Sequence, residues 1–308
     1  MSVAEVYTVG NLTIDDIVLW PSGRTWMDQP GGNALFSALG ARIWLDRVGI
    51  LTRLGRDYPR PHLAAMARRG LVLGLHPVDT PTLHNWALYE ADGGRQFINH
   101  LNSGTNEEAT PRAEEIADEH RHGRAYHIAP VPLHQQATLV QTLKRPQRLI
   151  SIDPHFAGIG RHKTTLEAML AAVNFFLPSE YEARLLYGAN DPETAARAFA
   201  ACGPEVVVIK MGGAGALVYE TASRRLTHIP AYQAAVQDTT GAGDAFCGGF
   251  LAGYLLTGDA VTAAQYGTIS ASYIIEAVGA LAACQPSMAE AHERVACVVP
   301  RTAPARHK

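Results

Sequence analysis

Asp238-Thr239-Thr240-Gly241-Ala242-Gly243-Asp244-Ala245-Phe246-Cys247-Gly248-Gly249 joins a polar turn to an apolar helical run that continues through Phe250, Leu251, Tyr254 and Leu255. The first turn of a helix leaves backbone N–H groups without intrahelical partners and carries the positive end of the helix dipole. Small residues at such a start let a phosphate reach the backbone, so Gly241, Ala242 and Gly243 read as an anion hole. Asp244 stands at its rim, where a carboxylate can take the proton from a hydroxyl that attacks phosphorus. An isolated Asp before a helix is more often a cap. Two threonines, two spaced glycines and a second Asp favour the functional reading here, provided the rest of the chain supplies a nucleotide and a substrate.

Outward from this stretch, short β-branched runs alternate with longer amphipathic ones. Strands are expected at 5–9, 14–20, 48–53, 71–76, 125–128, 149–153, 175–177 and 206–210. Helices are expected at 33–45, 62–69, 112–120, 133–144, 180–186 and 193–201, and again from Ala242 onward. Such alternation implies right-handed crossovers and a mostly parallel sheet covered on both faces, an α/β fold. Two runs, 85–89 and 96–101, flank Ala91-Asp92-Gly93-Gly94 and signal a hairpin. With 14–20 they form either a small second sheet suited to a lid or an edge hairpin of the main sheet. A further hairpin is expected from 216–219 and 226–229. Without repeats or long linkers, residues 1–308 read as one domain with lid insertions near 12–30 and 83–103.

Ligands gather outside the carboxyl ends of strands in an open parallel sheet. The first strand runs into Gly10-Asn11-Leu12-Thr13-Ile14-Asp15-Asp16, and a helix is entered through Gly31-Gly32-Asn33. Glycines there permit close backbone approach, and Asn33 can donate to and accept from a polyol. Other strands end at Asp153-Pro154-His155, at Pro178-Ser179-Glu180-Tyr181-Glu182 and at Lys210-Met211-Gly212-Gly213-Ala214-Gly215. Each also has a structural reading: Asn33 as a cap, Glu182 as a solvated helix residue, the glycines as a turn.

The composition, 47% apolar and 18% charged over 308 residues, is that of a soluble globule with a sizeable core. With 26 basic against 29 acidic residues and no cationic run, a nucleic-acid partner or an anionic membrane is not expected. No apolar run approaches the roughly 18 residues of a membrane span, and no leader pattern opens the chain, so a cytoplasmic location is expected. The four cysteines, Cys202, Cys247, Cys284 and Cys297, are far apart and read as reduced structural thiols. No P-loop, dinucleotide fingerprint or HExxH occurs. His120 and His122, two apart, are weak metal candidates, and His127 and His155 read as hydrogen-bonded structural histidines. Ser103 and Thr105 lack the context of a hydrolase nucleophile.

The stretch 238–249 resembles the second signature of the ribokinase-like, PfkB-type carbohydrate kinases, and Gly31-Gly32-Asn33-Ala34-Leu35-Phe36-Ser37-Ala38 is similar to a shortened first signature. The likeness extends over nearly the whole chain, through Gly55-Arg56-Asp57, Asp153-Pro154 and the 210–215 loop. It implies a Rossmann-like sheet with a small β lid, and transfer of the ATP γ-phosphoryl group to a sugar or nucleoside hydroxyl. By the same resemblance Asp244 is the catalytic base, and Gly241, Ala242 and Gly243 form the anion hole. Asp15, Gly31, Gly32 and Asn33 hold substrate hydroxyls, while Lys210, Gly212, Gly215 and Ser179 line the nucleotide. Glu182 serves Mg2+ through a water, and Asp238 and Thr240 match positions that bind a monovalent cation such as K+ in some members, with further oxygens near 277–279. Ser179 replaces the family's asparagine in this Asn-x-x-Glu motif, and His155 stands where many members have Asn. The partner implied is a small-molecule sugar or nucleoside; the lid edge would either pair with a second copy as a homodimer or stay solvated. A nucleoside kinase would stack its base on aromatics such as Trp20, Trp26, Trp86 or Phe97, residues whose alternative role is buried lid packing. A catalytically silent sugar or nucleotide sensor, motivated by Ser179, is the non-enzyme alternative.

Overall fold

The computed structural model describes residues 4–20, 22–90, 94–155, 163–188 and 191–302. Runs of β-branched residues with no room for water on either side make the centre of the molecule, as in Val6–Val9 and Val206–Lys210. Among the described residues, seven neighbouring strands are parallel, in the spatial order Val206–Lys210, Phe175–Phe176, Leu149–Ile152, Ala125–Ile128, Val6–Val9, Val48–Gly55 and Leu71–Val78. Ala216–Glu220, Arg225–Ile229 and the short Arg301–Thr302 extend this sheet antiparallel beyond Val206–Lys210.

Strand alternation sends successive side chains to opposite faces and so builds two cores. Val6, Phe175 and Val208 join the side covered by the helices Asn33–Arg42, Ala242–Thr257 and Ala260–Ile275. Tyr7, Phe176 and Val207 join the other side, with Leu139, Leu170 and Phe199 from Leu133–Leu143, Lys163–Leu170 and Pro192–Ala200. The first three helices touch almost backbone to backbone. A Cβ on Gly40 would collide with the backbone of Ala245, and one on Gly248 with the carbonyl of Ser37. Trp44 locks the group by donating its indole N–H to Ser270 Oγ at 2.8 Å, and Ser270 in turn donates to Gly40 O at 2.9 Å.

Leu83–Tyr89 and Arg95–Asn99 pair antiparallel, and together with Thr13–Leu19 and Arg24–Gly31 they form a separate four-stranded sheet. Of the two arrangements open for the hairpin, the second sheet is the one found. The turn residues Ala91, Asp92 and Gly93 lie outside the described residues. Arg24–Gly31 was not expected as a strand. Its Gly and Pro content and Asp28 in the left-handed region, at φ 53°, hide it from pattern reading. The helix Lys163–Leu170 and the strand Arg301–Thr302 were likewise not anticipated.

The helix expected at 112–120 is not formed. Two short 3₁₀ turns, Ala113–Glu115 and Asp118–His122, take its place after a single turn at Asn106–Ala109. Tertiary partners claim the groups a helix would use: Arg121 donates to Ile116 O and Ala113 O, and Glu115 is gripped by the Arg53 guanidinium at 2.8–3.1 Å. Among the described residues no helix is long and apolar enough to cross a membrane.

Candidate active site

The carboxyl ends of the parallel strands open onto a cavity of about 780 Å³. Its lining includes Asp153, Ser179, Glu182, Lys210, Gly212, Gly215 and the whole run Gly241, Ala242, Gly243, Asp244. The structure therefore brings the expected nucleotide residues and the expected anion hole to one space.

Gly241 sets the local geometry. It takes φ 73°, ψ 1°, the left-handed conformation that glycine adopts without penalty, and a Cβ there would run into the Phe36 ring. Among the described residues no side-chain hydrogen bond from the cap position closes the helix Ala242–Thr257 that follows, as is also true of Asn33–Arg42, whereas Ser179, Asp191, Asp259 and Ser287 each cap the helix they precede. Thr239, the run Gly241–Asp244 and Phe246 all line the cavity, so the start of this helix faces it. Asp244 sits in its first turn.

Beneath the hole lies a buried charge cluster. A Cβ on Gly243 would be 3.5 Å from Lys210 Nζ, so the ammonium lies close under the helix start. Lys210 donates to Asp153 Oδ2 and approaches Cys247 Sγ at 3.4 Å. Burial opposes the charge on Lys210, but the surrounding acidic groups, Asp153 foremost and Glu182 with it, outweigh it and hold the ammonium above its ordinary pKa. Burial pushes the Cys247 thiol well up, which keeps it uncharged despite Lys210. Asp153 Oδ1 makes no hydrogen bond among the described residues.

Ser179 and Glu182 form a reciprocal capping box. Glu182 N donates to Ser179 Oγ at 3.2 Å, while Ser179 N and Oγ both donate to Glu182 Oε2, at 2.8 and 2.7 Å. The serine at the asparagine position is therefore occupied with holding Glu182, which is buried and still lines the cavity.

The expected substrate residues form a second group beside the first. Gly32, at φ 105°, begins the helix Asn33–Arg42, and a Cβ there would strike the Asn11 carbonyl. Asn33 is turned to the backbone: its Oδ1 accepts from Asn11 N and its Nδ2 donates to the carbonyl of Pro130, a cavity residue, both at 2.8 Å. The Asp15 carboxylate lies so close to Gly31 that no side chain could stand there. Asp15 accepts from Asn85 Nδ2 at 3.1 Å, and burial raises its pKa to about 6, with Asp238 adding to the rise.

Tyr89 bridges the two groups. Its hydroxyl donates to Asp238 Oδ1 and meets Thr240 Oγ1, while Thr240 N also donates to Asp238 Oδ1 at 2.7 Å. Asp238 Oδ1 and Thr240 Oγ1, two of the oxygens matched to a monovalent cation, are thus engaged by Tyr89. Sequence reading did not single out Asn85 or Tyr89 as site residues. Their signal was the alternation along Leu83–Tyr89, which buries Leu83, Asn85, Ala87 and Tyr89 on one face. The aromatics named as base-stacking candidates behave differently from one another. Trp20 and Phe97 are exposed, so buried lid packing fails for both. Trp86 stacks on His100, and Trp26 packs against the cluster of Ile17, Ala87 and Tyr89. His120 and His127 are structural: His120 Nδ1 meets the Tyr7 hydroxyl at 3.1 Å, and His127 Nδ1 meets Ser151 Oγ at 2.7 Å.

The sequence profile of the pfkB family carbohydrate kinases matches residues 6–288. A cytidine kinase of Thermococcus kodakarensis is 30% identical over 251 residues, which is 81% of this chain and 88% of that protein. An E. coli protein solved in complex with ATP and Mg2+ superposes with a TM-score of 0.79 at 21% identity, covering 96% of this chain and 100% of that one. The Burkholderia thailandensis nucleoside kinase, solved with inosine, gives a TM-score of 0.76 at 20% identity, covering 95% and 96%. These structural likenesses establish the ribokinase-like α/β fold.

Proposed function

The chain belongs to the pfkB family of carbohydrate kinases, phosphotransferases with an alcohol acceptor, and from that premise we propose that it transfers the γ-phosphoryl group of ATP to a hydroxyl of a sugar or sugar derivative. The observation that carries this reading is the uncapped helix start at Gly241, which opens on a cavity shared with Lys210, Glu182 and Asp153.

In this reading the 212–215 loop lies along the nucleotide. At Gly212 and Gly213 an added Cβ would meet open space, so the backbone itself forms that wall. The amides of Gly241, Ala242 and Gly243 take the phosphate charge in transfer, and Lys210 adds a fixed positive charge below them. Asp244 receives the proton of the attacking hydroxyl, and Asp15 holds a second hydroxyl of the acceptor. Glu182 and Asp153 suit Mg2+, because both are buried carboxylates at the cavity and Asp153 keeps an unpartnered oxygen. Mg2+ there would neutralise phosphate charge. Asp238 and Thr240 are committed to Tyr89, so no step is assigned to a monovalent cation. The small sheet acts as a lid that keeps water from the phosphate.

The test is ATP consumption with Mg2+ against ketoses, aldoses, polyols, sugar acids and nucleosides. Asp244→Asn is expected to lower turnover by roughly 10² to 10⁴ with the fold intact; near-normal turnover would remove Asp244 from the mechanism. The match to the cytidine kinase along most of both chains favours a second reading, the ribose hydroxyl of a nucleoside, which a preference for nucleosides in the same panel would establish. Ligand binding without turnover on any acceptor would instead make the protein a sensor.

A further inference from the structure

Asp15 and Asp16 are successive residues of one strand, so their side chains leave the small sheet on opposite faces. Asp15 faces Gly31 and Asn85, as described. Asp16 faces two histidines, His84 from Leu83–Tyr89 and His100, which follows Arg95–Asn99 and whose N–H donates to His84 O at 2.9 Å. Three segments of the sheet therefore deliver one carboxylate and two imidazoles to one point.

The distances are those of a ligand set. Asp16 Oδ2 is 3.1 Å from His84 Nε2 and 3.1 Å from His100 Nε2, and all three ligand atoms lie within 4.8 Å of one another. Zinc bonds of about 2.0–2.2 Å in a tetrahedron put neighbouring ligand atoms roughly 3.3 Å apart. Asp16 is 3% exposed, and among the described residues no Lys or Arg pairs with it. Its other oxygen, Oδ1, accepts from Asp28 N at 2.7 Å, which fixes the carboxylate and leaves Oδ2 to the rings.

Hydrogen bonding alone does not complete this cluster. His84 Nε2 is in hydrogen-bonding position with Oδ2, but His100 Nε2 is buried and makes no hydrogen bond among the described residues. His100 Nε2 stands 3.1 Å from Oδ2 without the alignment of a hydrogen bond, and a buried ring nitrogen so placed carries a cost that a bound cation would remove. The rings lie stacked, with centroids 3.8 Å apart and planes at 14°, and Trp86 stacks on the outer side of His100 at 4.6 Å. Both lone pairs reach one ion only if the rings splay, and His100, whose Nε2 makes no hydrogen bond, must shift within its stack to do so. Two nitrogens and one oxygen select a borderline ion such as Zn2+ over Mg2+ or Ca2+, which take oxygen donors. Both rings are about a quarter exposed, so solvent can complete the coordination.

We propose that Asp16, His84 and His100 bind a zinc ion, or a divalent ion of like chemistry, that staples three segments of the small sheet. The register of Thr13–Leu19 against Arg24–Gly31 shifts between Asp15 and Ile17, so the ion would hold the residue at that irregularity and thereby aim Asp15. The site is separate from the cavity at Asp244 and stands or falls independently of the kinase reading.

The test uses the full chain, stripped with a chelator and titrated with Zn2+ against a chromophoric competitor, with Mg2+ as the comparison ion. One Zn2+ per chain is expected, with affinity lowered at least 10-fold in His84→Ala and in His100→Gln and unchanged in Asp15→Asn. Zn2+ should raise the thermal midpoint of the wild type and leave that of the histidine variants unmoved. Co2+ bound to the wild type, which needs no variant to fold, should give the visible absorption of a tetrahedral nitrogen and oxygen site without a thiolate charge-transfer band. No stoichiometric Zn2+, equal affinity in His100→Gln, or a thiolate band from Cys284 or Cys297 would each overturn the proposal.

Discussion

The hydroxyl of Tyr89, on the small sheet, donates to the carboxylate of Asp238, at the entrance of the glycine loop, and so ties the two halves of the site together. Hydrogen bonds to charged groups contribute about 1.5–3 kcal/mol. Tyr89→Phe is expected to lower unfolding stability by about that amount and to raise the KM for the acceptor more than it lowers kcat. Urea unfolding and steady-state kinetics check both; an unchanged KM would show that the contact does not set the acceptor half.

Asp15 gives a pH dependence with a definite sign. Its folded pKa, about 6, lies above the ordinary 3.8, mainly through burial, so between those values the folded chain holds more protons than the unfolded one. The group therefore costs stability above pH 6, and the cost fades as pH falls toward 4. A shift of about two units corresponds to about 3 kcal/mol at most. Asp15→Asn should be more stable than the parent at pH 7.5, equal to it near pH 4, and poor at binding the acceptor. Thermal melts across pH 4–8 decide it, and a variant less stable at pH 7.5 would refute this account.

For the buried pair, removing one partner should hurt more than removing both charges. Burial lifts the Asp153 pKa to about 8 even beside Lys210, so Lys210→Met leaves Asp153 to bind a proton in a buried site and is expected to cost at most about 3–5 kcal/mol. Adding Asp153→Asn should recover a substantial part of that loss. Denaturant unfolding of the two singles and the double measures the coupling, and simple additivity would argue against a retained ion pair.

Gly241→Ala tests the helix start. The left-handed φ of 73° and the Phe36 ring both oppose a methyl group, so a loss of about 1–3 kcal/mol from backbone strain is expected, with turnover falling as the anion hole shifts. Combining it with Phe36→Ala should relieve the collision but not the strain. Full recovery in the double variant would assign the whole effect to the ring.

Much of this was legible in the sequence because it depends on local pattern. The β-branched runs that became central strands are buried on both faces, and the helix after Gly241 announces itself by small residues followed by apolar ones. The stretch 112–120 misled because Glu115 is held by Arg53, 62 residues away, while Arg121 folds back onto the Ile116 and Ala113 carbonyls. Arg24–Gly31 was hidden by Pro30, Gly31 and a left-handed Asp28, which no strand pattern anticipates. The chain also names Asp15 and Asp244 as candidates, yet nothing local could show Tyr89 reaching Asp238 across 149 residues.

The glycine contacts among the helices Asn33–Arg42, Ala242–Thr257 and Ala260–Ile275 also bear on how such a protein can diversify. Where Gly40 lies against Ala245 and Gly248 against Ser37, any added carbon prises the helix that starts at Ala242 away from the one that starts at Asn33. Substitutions are closed there and open on the four-stranded sheet, whose hairpin exposes Phe97 and Ile98. On the proposed function, descendants of this chain would retune their acceptor by drift on one sheet and inherit the helix block around Gly241 unchanged.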